Sequence, residues 1–159
     1  MGITLNLEKR GQWEHLLYSG PINEDSEVHL APILGQLGAN VVINFRKVEY
    51  INSCGVRAWI NFLREVEKGR KIIFEECTPE IVSQINMIPN FRGRAQIKSV
   101  YASYACDKCD TRKWILFEEG KNLPKTAADG VPAPKCDKCN TEMEMEELED
   151  EFFAWVDAA

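Results

Sequence analysis

The chain has 159 residues, of which 45% are hydrophobic and 28% are charged, and its formal net charge at pH 7 is −6. This length suits one ordinary domain, or one domain with a small appendage, and the hydrophobic fraction allows a packed core. The N-terminus has no basic start followed by an apolar run, and no apolar stretch approaches the roughly 18 residues needed to span a bilayer. We therefore expect a cytoplasmic protein without direct membrane insertion.

The charge is unevenly distributed along the chain. Residues 1–104 carry 12 Lys/Arg and 11 Asp/Glu, whereas residues 105–159 carry 7 and 14. An acidic segment repels a phosphate backbone, so we do not expect nucleic acid as a partner. We predict three regions: an α/β domain over residues 1–104, a cysteine-bearing module over residues 105–148 and an acidic aromatic tail over residues 149–159.

The first region alternates between apolar runs typical of strands and amphipathic runs typical of helices. The predicted strands are Thr4–Lys9, Trp13–Tyr18, Asn40–Phe45, Lys71–Glu76 and Gln96–Tyr101. Gly20-Pro21 is expected to end the second strand. A short or kinked helix ends at Gly38, a second ends at Gly69, and a third starts at Thr78. This order predicts an α/β fold with a mostly parallel sheet packed with helices, and the initial hairpin adds an antiparallel edge.

Three segments of this region together resemble the STAS family, named for sulfate transporters and anti-sigma-factor antagonists. They are the apolar strand Val41-Val42-Ile43-Asn44-Phe45, the turn Tyr50-Ile51-Asn52-Ser53-Cys54-Gly55-Val56 and the helix start Thr78-Pro79-Glu80-Ile81. The family shows a hydrophobic strand, a turn of the Asp-Ser-Ser/Ala-Gly type and an amphipathic helix, followed by a strand and a Ser-Pro-Glu-like helix start. The resemblance covers roughly residues 3–101 and implies a STAS-like sheet.

The resemblance also implies a function. Family members of the antagonist type are not enzymes; they bind a kinase of the anti-sigma class, which phosphorylates a hydroxyl in the turn, and the phosphate breaks the complex. By this resemblance the chain is a non-enzymatic bacterial signalling protein. The residues implied in partner binding are Asn52, Ser53, Cys54, Gly55, Val56 and Arg57.

The turn departs from the family pattern at two positions. Asn52 replaces the usual Asp, and Cys54 occupies the position of the phospho-acceptor directly before Gly55. Three interpretations stay open: Ser53 and Cys54 only shape the turn, with Ser53 capping the helix; Ser53 is phosphorylated; or Cys54 is redox active, because a helix N-terminus lowers the pKa of a thiol. The missing acceptor also fits an accessory STAS subunit of a membrane transporter assembly, which is not phosphorylated.

Two identical cysteine motifs follow the first region. Cys106-Asp-Lys-Cys109 and Cys136-Asp-Lys-Cys139 are separated by 26 residues. Two residues between ligands let a tight knuckle turn both sulfurs toward one ion, and four thiolates form the closed tetrahedral shell of a structural zinc site. We therefore predict a small C-terminal zinc ribbon that holds one zinc ion. Its flanking strands are predicted at Lys113–Glu118 and Thr141–Glu146.

The same spacing resembles rubredoxin, which holds iron for electron transfer, so a rubredoxin-like or thiol-based redox protein is an alternative. Zinc is preferred over iron because no Gly follows either knuckle. Asp110 and Asn140 stand there instead, and both residue types tolerate the left-handed conformation that such a turn needs.

The acidic tail has two open interpretations. Leu148, Phe152, Trp155 and Val156 fall on one face of a predicted helix, which either packs on the body of the chain or docks on another protein. No nucleophile or acid pair lies near either histidine in the sequence, so no catalytic residue is predicted. The sequence does not predict the oligomeric state.

Overall fold

The computed structural model describes residues 2–158, which form two sheets and six helices. The first sheet has the strand order β1-β2-β3-β4-β5, in which β1 and β2 are antiparallel and the remaining neighbours are parallel. Its strands are β1 Thr4–Arg10, β2 Trp13–Ile22, β3 Asn40–Ile51, β4 Lys71–Glu75 and β5 Gln96–Ile97. The predicted α/β fold, with a mostly parallel sheet and an antiparallel edge, is confirmed.

The second sheet is antiparallel and has the strand order β7-β6-β8. Its strands are β6 Ser99–Ala105, β7 Arg112–Glu118 and β8 Glu144–Met145. The β7 prediction was correct to within one residue. The predicted strand Thr141–Glu146 is wrong in length, because only two of its residues pair with β6.

The helices lie in two groups along the chain. The first group packs with the first sheet and comprises α1 Ser26–Leu34, α2 Ser53–Val66, α3 Pro79–Met87 and α4 Pro89–Arg92. The second group is the C-terminal pair α5 Glu149–Phe152 and α6 Ala154–Asp157. Within residues 2–158 no helix is long and apolar enough to cross a membrane.

The core of the first sheet is built around Trp59 on the buried face of α2. Trp59 is fully buried, and its indole N–H donates to Phe91 O at 3.0 Å. Its ring centroid lies 5.3 Å from that of Phe45 and 6.0 Å from that of Phe74, in edge-on geometries that aromatic pairs prefer. These contacts fix α2 against β3 and β4, and therefore fix the position of its N-terminus.

The predicted break of β2 at Gly20-Pro21 is wrong. The strand continues to Ile22 with irregular register against β3, and Gly20 has a φ of 103°. Pro21 has no N–H to donate to a ladder, and it lies at this irregularity, where its carbonyl accepts from Tyr18 Oη at 2.7 Å. The paired strand β3 likewise runs to Ile51, beyond its predicted end at Phe45.

The predicted strand Gln96–Tyr101 is wrong, because the chain leaves the first sheet after Ile97 and joins the second sheet at Ser99. Lys98, between β5 and β6, donates its N–H to Phe74 O of β4, and Tyr101 N of β6 donates to Cys77 O just after β4, both at 2.8 Å. One continuous segment thus connects the two sheets. The predicted division of the chain at residue 104 stays a prediction.

Two predicted helix ends are also wrong. The first helix ends at Leu34 with Gly35 as its C-terminal cap, so Gly38 lies beyond the helix. α2 ends at Val66 rather than at Gly69, which has a φ of 70° in the turn that follows. The start of α3 agrees with the sequence, since Thr78 caps it by accepting from Ile81 N.

The tail packs on the body of the chain, which decides between its two interpretations. Phe152, Phe153 and Trp155 are at most 5% exposed, and Phe153 makes an edge-on contact with Phe117 of β7 at 5.4 Å between centroids. Leu148 was predicted on the same buried face, but it is 66% exposed and lies before α5, and the tail forms two short helices instead of one.

Candidate functional site

The start of α2 is held by the side chain of Asn52. Its Oδ1 accepts from Gly55 N at 2.9 Å, and its Nδ2 donates to Glu24 Oε2 at 3.0 Å. Asn52 is therefore the N-cap, and the proposed capping role of Ser53 is wrong: Ser53 is the first residue of the helix. The amide of Asn52 lowers the pKa of Glu24, since it stabilises the ionised carboxylate.

Gly55 lets this helix start lie directly against the end of β2. A Cβ at residue 55 would overlap the carbonyl of Ile22 and would lie 2.6 Å from Asn23 N. The backbone N–H of Asn52 also donates to Ile22 O at 3.1 Å. The turn is thus fixed by backbone contacts across the fold.

The six residues implied in partner binding differ in accessibility. The side chains of Ser53, Cys54 and Arg57 are exposed, Asn52 and Val56 are partly buried, and Gly55 is buried. The accessible groups are therefore a hydroxyl, a thiol and a guanidinium. Phosphorylation of Ser53 and redox activity of Cys54 stay predictions.

The second candidate site brings the four cysteines of the two motifs together. The ligand atoms of Cys106, Cys109, Cys136 and Cys139 all lie within 4.8 Å of one another. The distances between sulfurs are 3.3 Å for Cys109–Cys136, 3.5 Å for Cys106–Cys139 and 3.7 Å for Cys109–Cys139. Tetrahedral zinc with bonds of about 2.3 Å separates its sulfurs by about 3.8 Å, whereas a disulfide bond is about 2.05 Å long. This donor set fits one metal ion and not a pair of disulfides.

The two knuckles have the same backbone hydrogen bonds. Cys106 N donates to Thr111 O and Cys136 N donates to Thr141 O, both at 2.8 Å. The residue after each second cysteine is left-handed as predicted, with a φ of 59° at Asp110 and 61° at Asn140, and its N–H returns to the carbonyl of the first cysteine at 2.9 Å.

Comparisons with solved structures return distant similarities, at 11–17% sequence identity. The chain is similar to the anti-sigma factor antagonist SpoIIAA in its unphosphorylated form, with 17% identity, a TM-score of 0.41, and coverage of 59% of this chain and 86% of that chain. It is similar to an anti-sigma factor antagonist from Mycobacterium paratuberculosis, with 15% identity, a TM-score of 0.49, and coverage of 60% and 85%.

A third solved structure is an uncharacterized protein from Shewanella loihica with a SpoIIAA-like fold, with 11% identity, a TM-score of 0.44, and coverage of 60% of this chain and 83% of that chain. No family model and no curated protein matches the chain.

Two threonines of the cysteine site were missed by the sequence analysis. Thr111 Oγ1 lies 3.1 Å from Cys109 Sγ, and Thr141 Oγ1 lies 3.2 Å from Cys139 Sγ. Each hydroxyl lies within hydrogen-bonding distance of a cysteine sulfur. The signal was present in the sequence, since each motif is followed by the same Thr two residues after its second cysteine.

The second knuckle, Cys136 to Cys139, favours ionised sulfur. The backbone N–H groups of Cys139 and Lys138 lower the pKa of Cys136 to about 6, and contact with Thr141 lowers that of Cys139. The N–H of Cys109 also lowers the pKa of Cys106, but burial and the neighbouring sulfurs outweigh it and raise that pKa to about 11. A bound divalent cation removes this barrier to the ionisation of Cys106, since it compensates the negative charge of all four thiolates.

The remaining cysteine and histidine residues lie apart from these sites. Cys77 is fully buried, and burial raises the pKa of its thiol. His15 lies on β2 with Nδ1 4.0 Å from Glu75 Oε2, and His29 is exposed on α1.

Proposed function

We propose that the chain is a non-enzymatic regulatory module that binds a partner protein through the start of α2, in the manner of the anti-sigma-factor antagonists. One observation carries this proposal. The side chains of Ser53 and Cys54 are exposed at the start of α2, while the rest of this turn is held in place by its contacts with the fold. The partner is a protein of the signalling class, with a kinase of the anti-sigma type as the leading candidate.

The geometry of the turn supports a switch at Ser53. A phosphate at the first turn of a helix is stabilised by free N–H groups and by the positive end of the helix dipole. The carboxylate of Glu24 bonds to Asn52, the residue directly before Ser53. A phosphate therefore adds negative charge beside an existing carboxylate, which alters the surface that the partner contacts without requiring the core to move.

The four-cysteine cluster is proposed to hold one zinc ion in a structural role. Four thiolates leave no open position for a substrate, which supports a folding function instead of catalysis. Residues 105–148 contribute only β7 and the two-residue β8 as strands after Ala105, so metal binding is expected to provide much of the folding free energy of this module.

Affinity capture with the full chain tests the binding proposal. The immobilised wild type is expected to retain a signalling protein, and Ser53→Glu is expected to weaken that complex at least about tenfold, whereas Ser53→Ala retains it. Asn61→Glu is the matched control, since it adds the same charge at an exposed position farther along α2. Equal retention by Ser53→Glu and wild type would exclude this face, and recovery of a permease or transport ATPase would favour the transporter alternative.

Elemental analysis and intact mass of the same preparation test the metal. The expected result is a colourless protein with one zinc per chain. A red protein with visible absorption and one iron per chain would support the rubredoxin-like alternative instead.

A further inference from the structure

A cavity of about 540 Å³ lies where the three parts of the chain meet. It is bounded by Arg92 and β5 on one side, by residues 119–125 of the loop after β7 on the second, and by Trp155 and Val156 of α6 on the third. This volume is within the range of small-molecule sites, which is about 300–1,000 Å³. The cavity lies outside the helix start and the cysteine cluster.

The charged groups of the cavity are predominantly cationic. Arg92, Lys121 and Lys125 line it, whereas Glu119 is the single carboxylate among its described lining residues. Both oxygens of Glu119 accept from Gln96 Nε2, at 2.9 and 3.0 Å. Lys121 Nζ lies 3.3 Å from Glu118 Oε1, so within residues 2–158 the cations of the cavity without a carboxylate partner are Arg92 and Lys125.

Arg92 is the most deeply placed of the three cations. Its Nε donates to Ala95 O and its Nη1 donates to Trp155 O, both at 2.9 Å. Within residues 2–158 no carboxylate lies within 4.0 Å of its guanidinium. A partly buried cation that bonds only to neutral carbonyls retains a strong preference for an anion.

Trp155 supplies an aromatic wall. The residue is 5% exposed, and the central guanidinium carbon of Arg92 lies 5.9 Å from its ring centroid. The rest of the lining is apolar and includes Ile97, Leu123 and Pro124.

We propose that this cavity binds a small organic anion: a ring or other apolar body that carries one phosphate or carboxylate group. The anionic group contacts Arg92 and the two lysines, and the body packs on the Trp155 ring and the apolar wall. This site goes beyond the proposed partner binding at α2, and its test is independent of that proposal.

Calorimetric titration of the full chain with phenyl phosphate tests the site. Binding tighter than about 1 mM is expected, with weaker binding of inorganic phosphate, which lacks the ring, and none of phenol, which lacks the charge. Benzoate distinguishes the two head groups, since a site for phosphate prefers phenyl phosphate to benzoate and a site for carboxylate prefers the reverse.

Two variants locate the binding. The double variant Lys121→Met with Lys125→Met is expected to weaken the preferred ligand at least about tenfold, since hydrogen bonds to charged groups contribute about 1.5–3 kcal/mol each. Lys9→Met with Lys71→Met removes two exposed lysines elsewhere and is expected to leave the affinity unchanged.

The proposal is overturned if neither phenyl phosphate nor benzoate binds the wild type below about 1 mM. It is also overturned if the lysine pair in the cavity and the lysine pair outside it change the affinity equally, because the binding is then non-specific attraction between charges.

Discussion

Gly55 lies so close to Ile22 that a Cβ at residue 55 would overlap the carbonyl group of Ile22. The contact joins the first turn of α2 to the last residue of β2, and Asn52 N bonds to the same carbonyl at 3.1 Å. The position of Ser53 and Cys54 therefore depends on a residue with no side chain. This close contact predicts how a methyl group added at residue 55 changes the stability of the protein.

Gly55→Ala is expected to destabilise the protein by about 2 kcal/mol or more, because backbone atoms of Ile22 and Asn23 must move to admit the methyl group. The measurement is the free energy of unfolding in urea. Gly35→Ala is the control, since Gly35 has a φ of −72° and nothing lies within 4 Å of the position that its added methyl group would take. It is expected to leave stability unchanged or to raise it by about 0.4–1 kcal/mol. Equal effects of the two substitutions would contradict the close approach.

Local sequence patterns were enough to predict the cysteine cluster. Both knuckles are complete within six residues, from the first cysteine to Thr111 or Thr141, so every contact that shapes them is short in sequence. The order of strands and helices was also predictable, because periodicity depends on whether neighbouring residues face the core.

The details that were missed depend on residues distant in sequence. Asn52 rather than Ser53 caps α2, because Glu24 and Ile22 fix the amide and the backbone of Asn52 from about thirty residues away. The change of sheet at Lys98 depends on β7 and β8, which lie later in the chain. Apolar periodicity gives no information on which partner a strand selects.

Glu76 is a further example of a conformation that tertiary contacts impose. Its φ of 49° is uncommon for a residue with a side chain. Its carboxylate accepts from Asn44 Nδ2 and from Tyr101 Oη at 2.7 Å, and its N–H donates to Ser99 Oγ at 2.7 Å. These partners come from other segments of the chain, so the sequence near Glu76 did not indicate the turn.

Thr111→Val with Thr141→Val is expected to weaken metal retention by about 10–100-fold, because each hydroxyl lies within hydrogen-bonding distance of a cysteine sulfur and outer partners of ligands tune metal affinity. Competition with a chromophoric chelator measures the zinc affinity of the full chain. Thr4→Val, at an exposed position of β1, is the control and is expected to match the wild type. Identical affinity in all three proteins would show that the hydroxyls do not act on the sulfurs.

Phe152→Ala is expected to cost about 3–5 kcal/mol of stability, because Phe152 is 2% exposed and packs edge-on against Phe153 at 4.9 Å. Leu148→Ala is the matched control in the same segment; Leu148 is 66% exposed, and its truncation is expected to change stability by less than about 0.5 kcal/mol. Urea unfolding measures both. Similar losses of stability at Leu148 and Phe152 would favour the single-helix arrangement that the sequence suggested.

Tyr104→Phe is expected to stabilise the protein by about 1 kcal/mol at neutral pH, because the Tyr104 hydroxyl is buried and has no hydrogen-bond partner among the described atoms. The difference in stability between Tyr104→Phe and the wild type is expected to grow in alkaline solution. Burial, with a smaller contribution from Glu149, raises the pKa of Tyr104 to about 12, whereas a tyrosine in the unfolded chain ionises near pH 10.

The unfolded state of the wild type therefore loses the Tyr104 proton first as the pH rises, so the stability associated with this residue is complete below about pH 10 and decreases between about pH 10 and 12. The phenylalanine variant has no such group and escapes this part of the loss. Unfolding free energies of the two proteins, measured from neutral pH to the alkaline limit of reversibility, give the comparison. Tyr50→Phe, which changes an exposed tyrosine, is expected to track the wild type throughout. A Tyr104→Phe variant that is less stable than the wild type at neutral pH would mean that the hydroxyl has a hydrogen-bond partner, such as a bound water.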